Sequence, residues 1–115
     1  MRLDPKVAVV STAGLVALRN ARVPMVVVDA RTGKYDDGVR IPGAINLHTK
    51  SPLNRIRRKL RSKRRLVVTY CASLKCPASA QLASLLGKLG YKNVIEYPYG
   101  IKGWREAGHG TTSAK

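Results

Sequence analysis

Leu66-Val67-Val68-Thr69-Tyr70-Cys71-Ala72-Ser73-Leu74-Lys75-Cys76-Pro77-Ala78-Ser79 reads as strand, loop and helix in succession. Leu66 to Tyr70 is a short run of aliphatic, β-branched and aromatic residues, which suits a buried strand. Pro77 fits the first turn of a helix, where a missing N–H costs nothing because those amides lack intrahelical partners. Ala78, Leu82, Leu85, Leu86 and Leu89 then recur at helical spacing on one face, and Gly90 stands where a glycine stop is expected. Cys71 therefore opens a six-residue loop, Cys71 to Cys76, that feeds a helix N-terminus. Backbone N–H groups and the positive end of the helix dipole favour an anion there, which biases Cys71 towards thiolate.

On the N-terminal side, Val7 to Val10 is a β-type run, and Ser11 and Thr12 are candidate N-caps for a helix to about Asn20. Met25 to Arg31 reads as a buried strand ending in Asp29 and Arg31, and Gly33 to Gly43 as loop. Ala44 to Leu47 is a further short strand. Ser51 and Pro52 predict the cap and first turn of a helix over Leu53 to Arg61, with Leu53, Ile56 and Leu60 on a narrow apolar face. On the C-terminal side follow a strand at Asn93 to Tyr97, a turn at Pro98 to Gly100 and a short helix at Ile101 to Ala107. Trp104, Tyr70, Tyr97 and Tyr99 read as packing residues. Short apolar runs alternating with helical patterns give an α/β class with a single domain, in keeping with 115 residues and 44% apolar content. With no Phe and 5% aromatic residues the core is expected to be Val, Leu, Ile and Ala.

Two cysteines in one loop are not a secreted disulfide framework, so a reducing compartment, the cytoplasm, is expected. Met1 to Leu18 has basic residues ahead of a mildly apolar stretch, but Asp4, Ser11, Thr12 and Gly14 argue for folded domain rather than a leader. No stretch approaches the ~18 apolar residues of a membrane span. The charge is lopsided: 22 Lys and Arg against 6 Asp and Glu give +16. Nine basic residues from Lys50 to Arg65 meet no acidic one, so the Arg55 to Arg65 cluster suggests either a solvated face or a site for RNA or an acidic protein. Aromatics are not interleaved, which leaves base stacking unsupported. Metal binding by the cysteines is disfavoured, since structural zinc takes four ligands and only His48 and His109 remain, both read as surface loop residues.

Five segments, Val27-Val28-Asp29-Ala30-Arg31, Gly38-Val39-Arg40-Ile41-Pro42-Gly43-Ala44-Ile45-Asn46, Val68-Thr69-Tyr70-Cys71, Leu89-Gly90-Tyr91-Lys92-Asn93-Val94 and Gly100-Ile101-Lys102-Gly103-Trp104, resemble the rhodanese-like sulfurtransferases in order and spacing. The resemblance implies residues 1–108 as one rhodanese-like domain, with a mostly parallel central sheet and helices on both faces, and residues 109–115 as a flexible tail. It implies no cofactor, and a Cys71 that takes sulfane sulfur from polysulfide, a persulfide or thiosulfate and passes it to a thiol or cyanide. The amides of Ala72, Ser73, Leu74, Lys75 and Cys76 would form a nest for the anionic persulfide.

Asp29 and Arg31 would support the active-site wall, the alternative being an exposed ion pair at a strand end. Cys76 is either a redox partner of Cys71 or a small residue filling the loop's end. Val39-Arg40 replaces the family's common Gly-His, and Ala72 and Leu74 stand where many members carry a basic residue and a glycine. Phosphatases and arsenate reductases of the same fold group need a longer loop with an arginine near its end, whereas this loop closes at Cys76-Pro77 without one.

Overall fold

Residues 7–113 are described by the computed structural model; residues 1–6, assigned above to the start of the domain, and residues 114–115, assigned to the tail, lie outside the described residues. In chain order the elements are β1 (Ala8–Val9), α1 (Thr12–Asn20), β2 (Met25–Asp29), β3 (Val39–Arg40), β4 (Ile45–Asn46), α2 (Leu53–Lys59), β5 (Leu66–Tyr70), α3 (Ala78–Lys88), β6 (Val94–Tyr97), α4 (Gly100–Glu106) and β7 (Thr112–Ser113). The two strands richest in β-branched residues, β2 and β5, pair in parallel from Met25 opposite Leu66 to Asp29 opposite Tyr70. They form the centre of a five-stranded sheet ordered β1-β6-β5-β2-β4, with every pair parallel.

Because side chains alternate along a strand, the sheet needs cover on both sides. Val27, Val68 and Tyr70 point to one face, where Leu15 of α1 and Ile101 and Trp104 of α4 pack on them. Val28 and Val67 point to the other, against Ile56 of α2 and Leu82 and Leu86 of α3. The core is less aliphatic than composition suggests, since Tyr70, Tyr91, Tyr97 and Trp104 are all buried in it. Adjacent strands β5 and β6 are followed by α3 and α4 on opposite faces. The chain thus leaves their two ends in opposite directions and opens the crevice where open α/β sheets hold ligands.

Helix ends follow the local chemistry with two exceptions. Ser11 Oγ accepts from Gly14 N at 3.0 Å, as an N-cap should. Gly90, at φ +96°, lets Tyr91 N reach Leu86 O and Gly90 N reach Gly87 O, the paired bonds of a Schellman stop. Ser51, however, does not cap α2: its Oγ accepts from His48 N, and Pro52 occupies the cap position with no side-chain bond. Pro77 likewise stands one position before the hydrogen-bonded turns of α3 rather than inside them.

Three further differences come from tertiary contacts that local patterns do not report. Leu53 is 48% exposed, so the apolar face of α2 reduces to Ile56 and Leu60. Within the expected 33–43 loop, β3 pairs antiparallel with β7, and Trp104 Nε1 donates to Gly110 O at 2.8 Å, so the chain beyond Gly108 is tied back onto the domain through Ser113. His109 packs on the Trp104 ring at 4.6 Å between centroids.

Candidate active site

Cys71 follows β5 directly, and its side chain sits in the crevice with 2% exposure. The loop it opens is fastened at three places. Ile101 N donates to Cys71 O at 2.9 Å and Lys102 N to Ala72 O at 3.0 Å, so the first turn of α4 is laid against the loop backbone. Gly100 permits that approach: at φ +70°, a Cβ on it would lie 2.6 Å from Cys71 O and 2.7 Å from the Ala72 carbonyl carbon. At the loop's far end α3 is held by Thr69 Oγ1 donating to Ser79 O and by Ser79 Oγ donating to the buried Glu96 Oε2.

The loop is closed covalently. Cys71 and Cys76 form a disulfide with their Cα atoms 6.2 Å apart. In this closed form Cys76 N donates to Ser73 O at 3.1 Å, and Lys75 N to Ser73 Oγ at 3.4 Å. Two of the five amides expected to cradle an anion are thus turned onto the loop's own serine. Beside the loop lies a cavity of about 270 Å³ lined by Ser73, Leu74, Lys75, Tyr99, Lys102 and Glu106. Leu74 and Tyr99 are exposed, which corrects the reading of Tyr99 as a packing residue. Tyr99, Lys102 and Glu106 escaped the sequence reading because only the fold brings α4 to the cysteine loop; the Gly-Ile-Lys-Gly-Trp segment was their one signal.

Asp29 and Arg31 are not an exposed ion pair, being 0% and 3% exposed. Arg31 grips Asp29 through Nε and Nη2, the latter at 2.8 Å, and reaches Asp37 with Nη1 at 3.1 Å. Arg40, from β3, donates to Asp29 at 2.9 Å and to both oxygens of Asp36, at 2.6 and 3.0 Å. Such a cage is sustainable because each buried charge meets an opposite one with good hydrogen-bond geometry. The hydrogen bond from Arg40 holds the Asp36 carboxyl down at about 2, against the partial burial that opposes it. Asp37 is lowered chiefly by the Val39 amide. Three of the chain's six acids gather here, a concentration in a +16 sequence that could have marked Asp36 and Arg40 as a unit.

Among the described residues the cage meets the cysteine loop by way of Tyr70. Tyr70 O accepts from Ala30 N at 2.8 Å, and its buried hydroxyl accepts from Ile41 N at 3.1 Å. Burial first, and then the nearby Asp29 charge, push the Tyr70 phenol above its ordinary range, so it stays a neutral hydrogen-bonding group. Asp29 and Arg31 are thus placed at the carboxyl end of β2, beside the strand that presents Cys71.

All nine basic residues from Lys50 to Arg65 are exposed. Four of them, Arg58, Lys59, Arg61 and Arg65, line with Ser62, Val26 and Val67 a cleft of about 250 Å³ at the end of the sheet where β2 and β5 begin. Lys63 is fixed differently, donating to Leu89 O at 2.6 Å over the Tyr91 ring. Among the described residues no group of three or more His, Cys, Asp and Glu is placed to hold a metal ion, and no helix is long and apolar enough to cross a membrane.

The family model described as the rhodanese-like domain matches residues 12–107. The chain belongs to the rhodanese-like family. Curated protein sequences yield no match. Among solved structures, this rhodanese-like domain is similar to the BH2092 protein of Bacillus halodurans, with TM-score 0.80, 24% identity, 93% of this chain covered and 77% of that one. It is similar to a thiosulfate sulfurtransferase of Pseudomonas aeruginosa, with TM-score 0.74, 23% identity and 95% of this chain covered; it spans 21% of that longer chain. It is also similar to the RPA3614 protein of Rhodopseudomonas palustris, described as a possible tyrosine phosphatase, with TM-score 0.73, 24% identity, 92% of this chain covered and 85% of that one. At these identities the likeness is one of fold.

Proposed function

We propose that this rhodanese-like domain is a sulfurtransferase that carries sulfane sulfur on Cys71. The observation that supports it is the position of Cys71, at the carboxyl end of the central strand β5, in the crevice between the starts of α3 and α4. With Cys71 reduced, its thiolate attacks the outer sulfur of a persulfide, polysulfide or thiosulfate, and the donor leaves as thiol, shortened polysulfide or sulfite. The Cys71 persulfide then yields its terminal sulfur to a thiol or to cyanide. Lys75 and Lys102, on either side of the neighbouring cavity, would attract the anionic donor, while Leu74 and Tyr99 offer apolar surface to its remainder. A tetrahedral oxyanion is the poorer fit, since the loop brings one lysine and no arginine to clamp it.

Intact mass after exposure of the reduced protein to polysulfide, and separately to thiosulfate, tests the proposal. One sulfur should be added in the Cys76→Ser variant and none in Cys71→Ser, and cyanide should remove it. Absence of any Cys71-dependent sulfur from either donor refutes the reading.

A second reading, a polyanion-binding module, is favoured by the nine exposed cations from Lys50 to Arg65 that meet no acid in the sequence, four of which line the cleft where β2 and β5 begin. Without exposed aromatics among those residues, contact to an RNA phosphate backbone fits better than base stacking. Affinity for a short RNA should fall steeply as salt rises and weaken in Arg58→Ala and Arg61→Ala. No binding at ~50 mM salt removes this reading.

A further inference from the structure

We propose that Cys76 is a resolving thiol, which discharges the Cys71 persulfide as hydrogen sulfide and makes the domain a dithiol-dependent reductase of sulfane sulfur; this rests on the persulfide reading above. The carrying observation is the Cys71–Cys76 bond itself, formed within one six-residue loop whose two ends are fastened to separate elements. Cys71 O and Ala72 O are held by α4, and the start of α3 is held by Thr69 and by the Ser79–Glu96 pair. The two Cα atoms are thereby kept at 6.2 Å, inside the ordinary range for a disulfide. A second thiol placed so close to the sulfur carrier competes with any acceptor from solution, because an intramolecular nucleophile acts at a high effective concentration.

The step balances without an outside oxidant. The Cys76 thiolate attacks the Cys71 sulfur bonded to the sulfane sulfur; the new Cys71–Cys76 bond forms as the persulfide S–S bond breaks. The electron pair of that bond leaves on the terminal sulfur, which is reduced to hydrosulfide and takes up the proton released by Cys76, while the Cys76 sulfur is oxidised to the disulfide level. Resetting the loop takes a dithiol reductant. Its first thiolate attacks the disulfide, its second closes on the mixed disulfide, and both loop cysteines return as thiols. The disulfide form of the loop is then a resting point of a cycle, in which the Lys75 and Cys76 amides pair internally with Ser73.

The decisive experiment treats the reduced, desalted full chain with one equivalent of glutathione persulfide and follows intact mass and free sulfide together. Wild type should lose the mass of two hydrogens and release one sulfide per chain. Cys76→Ser, and Cys76→Ala as a second variant, should instead gain one sulfur and hold it roughly 10²-fold longer. Cys71→Ser should do neither. Added dithiol should turn wild type over repeatedly. If wild type holds the added sulfur as long as the Cys76 variants and releases no sulfide, the resolving role is overturned while the Cys71 carrier stands. If neither wild type nor the Cys76 variants take sulfur or release sulfide, the carrier reading fails first and this inference with it.

Discussion

Replacing Gly100 with alanine should cost far more than its size suggests, because the new methyl would press against backbone atoms and not a movable side chain. Its Cβ would lie 2.6 Å from Cys71 O, 2.7 Å from Ala72 C and 2.8 Å from Ala72 O, at φ +70°. The left-handed conformation alone costs a non-glycine residue about 1–2 kcal/mol. Relieving the contacts means lifting the start of α4 off the cysteine loop. That stretches the Ile101 N to Cys71 O and Lys102 N to Ala72 O bonds, each worth about 1 kcal/mol net. The sum is about 3–4 kcal/mol, a large share of the roughly 5–15 kcal/mol that holds an ordinary domain together.

Gly33→Ala is the matched control. Its φ is +61°, but nothing lies within 4 Å of the added Cβ, so it should lose only the conformational part. Urea unfolding of both variants with the disulfide intact gives the comparison, with stability read from the midpoint at constant slope. Gly100→Ala should unfold at a clearly lower urea concentration than Gly33→Ala and, once reduced, load sulfur on Cys71 more slowly. Equal midpoints for the two variants would refute the claim that the α4 start is seated on the loop through Gly100.

The Asp36 carboxyl, held at about 2 against an ordinary 3.8, contributes stability that is fully present above about pH 4 and lost as pH falls through about 2. At about 1.4 kcal/mol per pH unit this is about 2 kcal/mol, so Asp36→Asn should flatten the acid limb of a stability-against-pH curve between those limits; an unchanged limb contradicts the Arg40 contact. Tyr70→Phe removes the acceptor of the buried Ile41 amide and should cost about 1–3 kcal/mol in urea unfolding, with faster hydrogen exchange at Ile41. Unaltered exchange there would show that the Tyr70 hydroxyl does not hold the β3 segment.

What was legible in the sequence was what depends on local periodicity. Leu66 to Tyr70 suited a strand, the leucines after Pro77 recurred at helical spacing, and Gly90 stops that helix by a bond pattern set within six residues. Of the two readings of Asp29 and Arg31 the exposed ion pair fails, because their burial depends on Arg40 and Asp36, partners that a strand-end reading does not include. Nor does Val39-Arg40, where the family commonly has Gly-His, read as a neutral exchange once Arg40 is seen to bridge two aspartates. Tyr99, Leu53 and the chain beyond Gly108 were misplaced for the same reason: their surroundings are decided by elements distant in sequence. The cysteine pair was readable as two alternatives, and the Cα separation of 6.2 Å that permits the Cys71–Cys76 bond is a property of the loop's anchors, which sequence spacing does not give.

Strand β5 runs from Arg65, just before its first residue, to Cys71, just after its last. At about 3.3 Å per residue that separates the basic end from the sulfur by about 20 Å. The two proposed sites therefore sit at opposite poles of one stiff rod. A polyanion bound at the basic pole stays out of reach of the thiol and leaves the cysteine crevice open. Neutralising that pole should leave sulfur loading from a small donor intact. On the two proposals taken together, a large acceptor must bridge the length of the strand to be gripped at one pole and sulfurated at the other, so the rod acts as a ruler on whatever spans it.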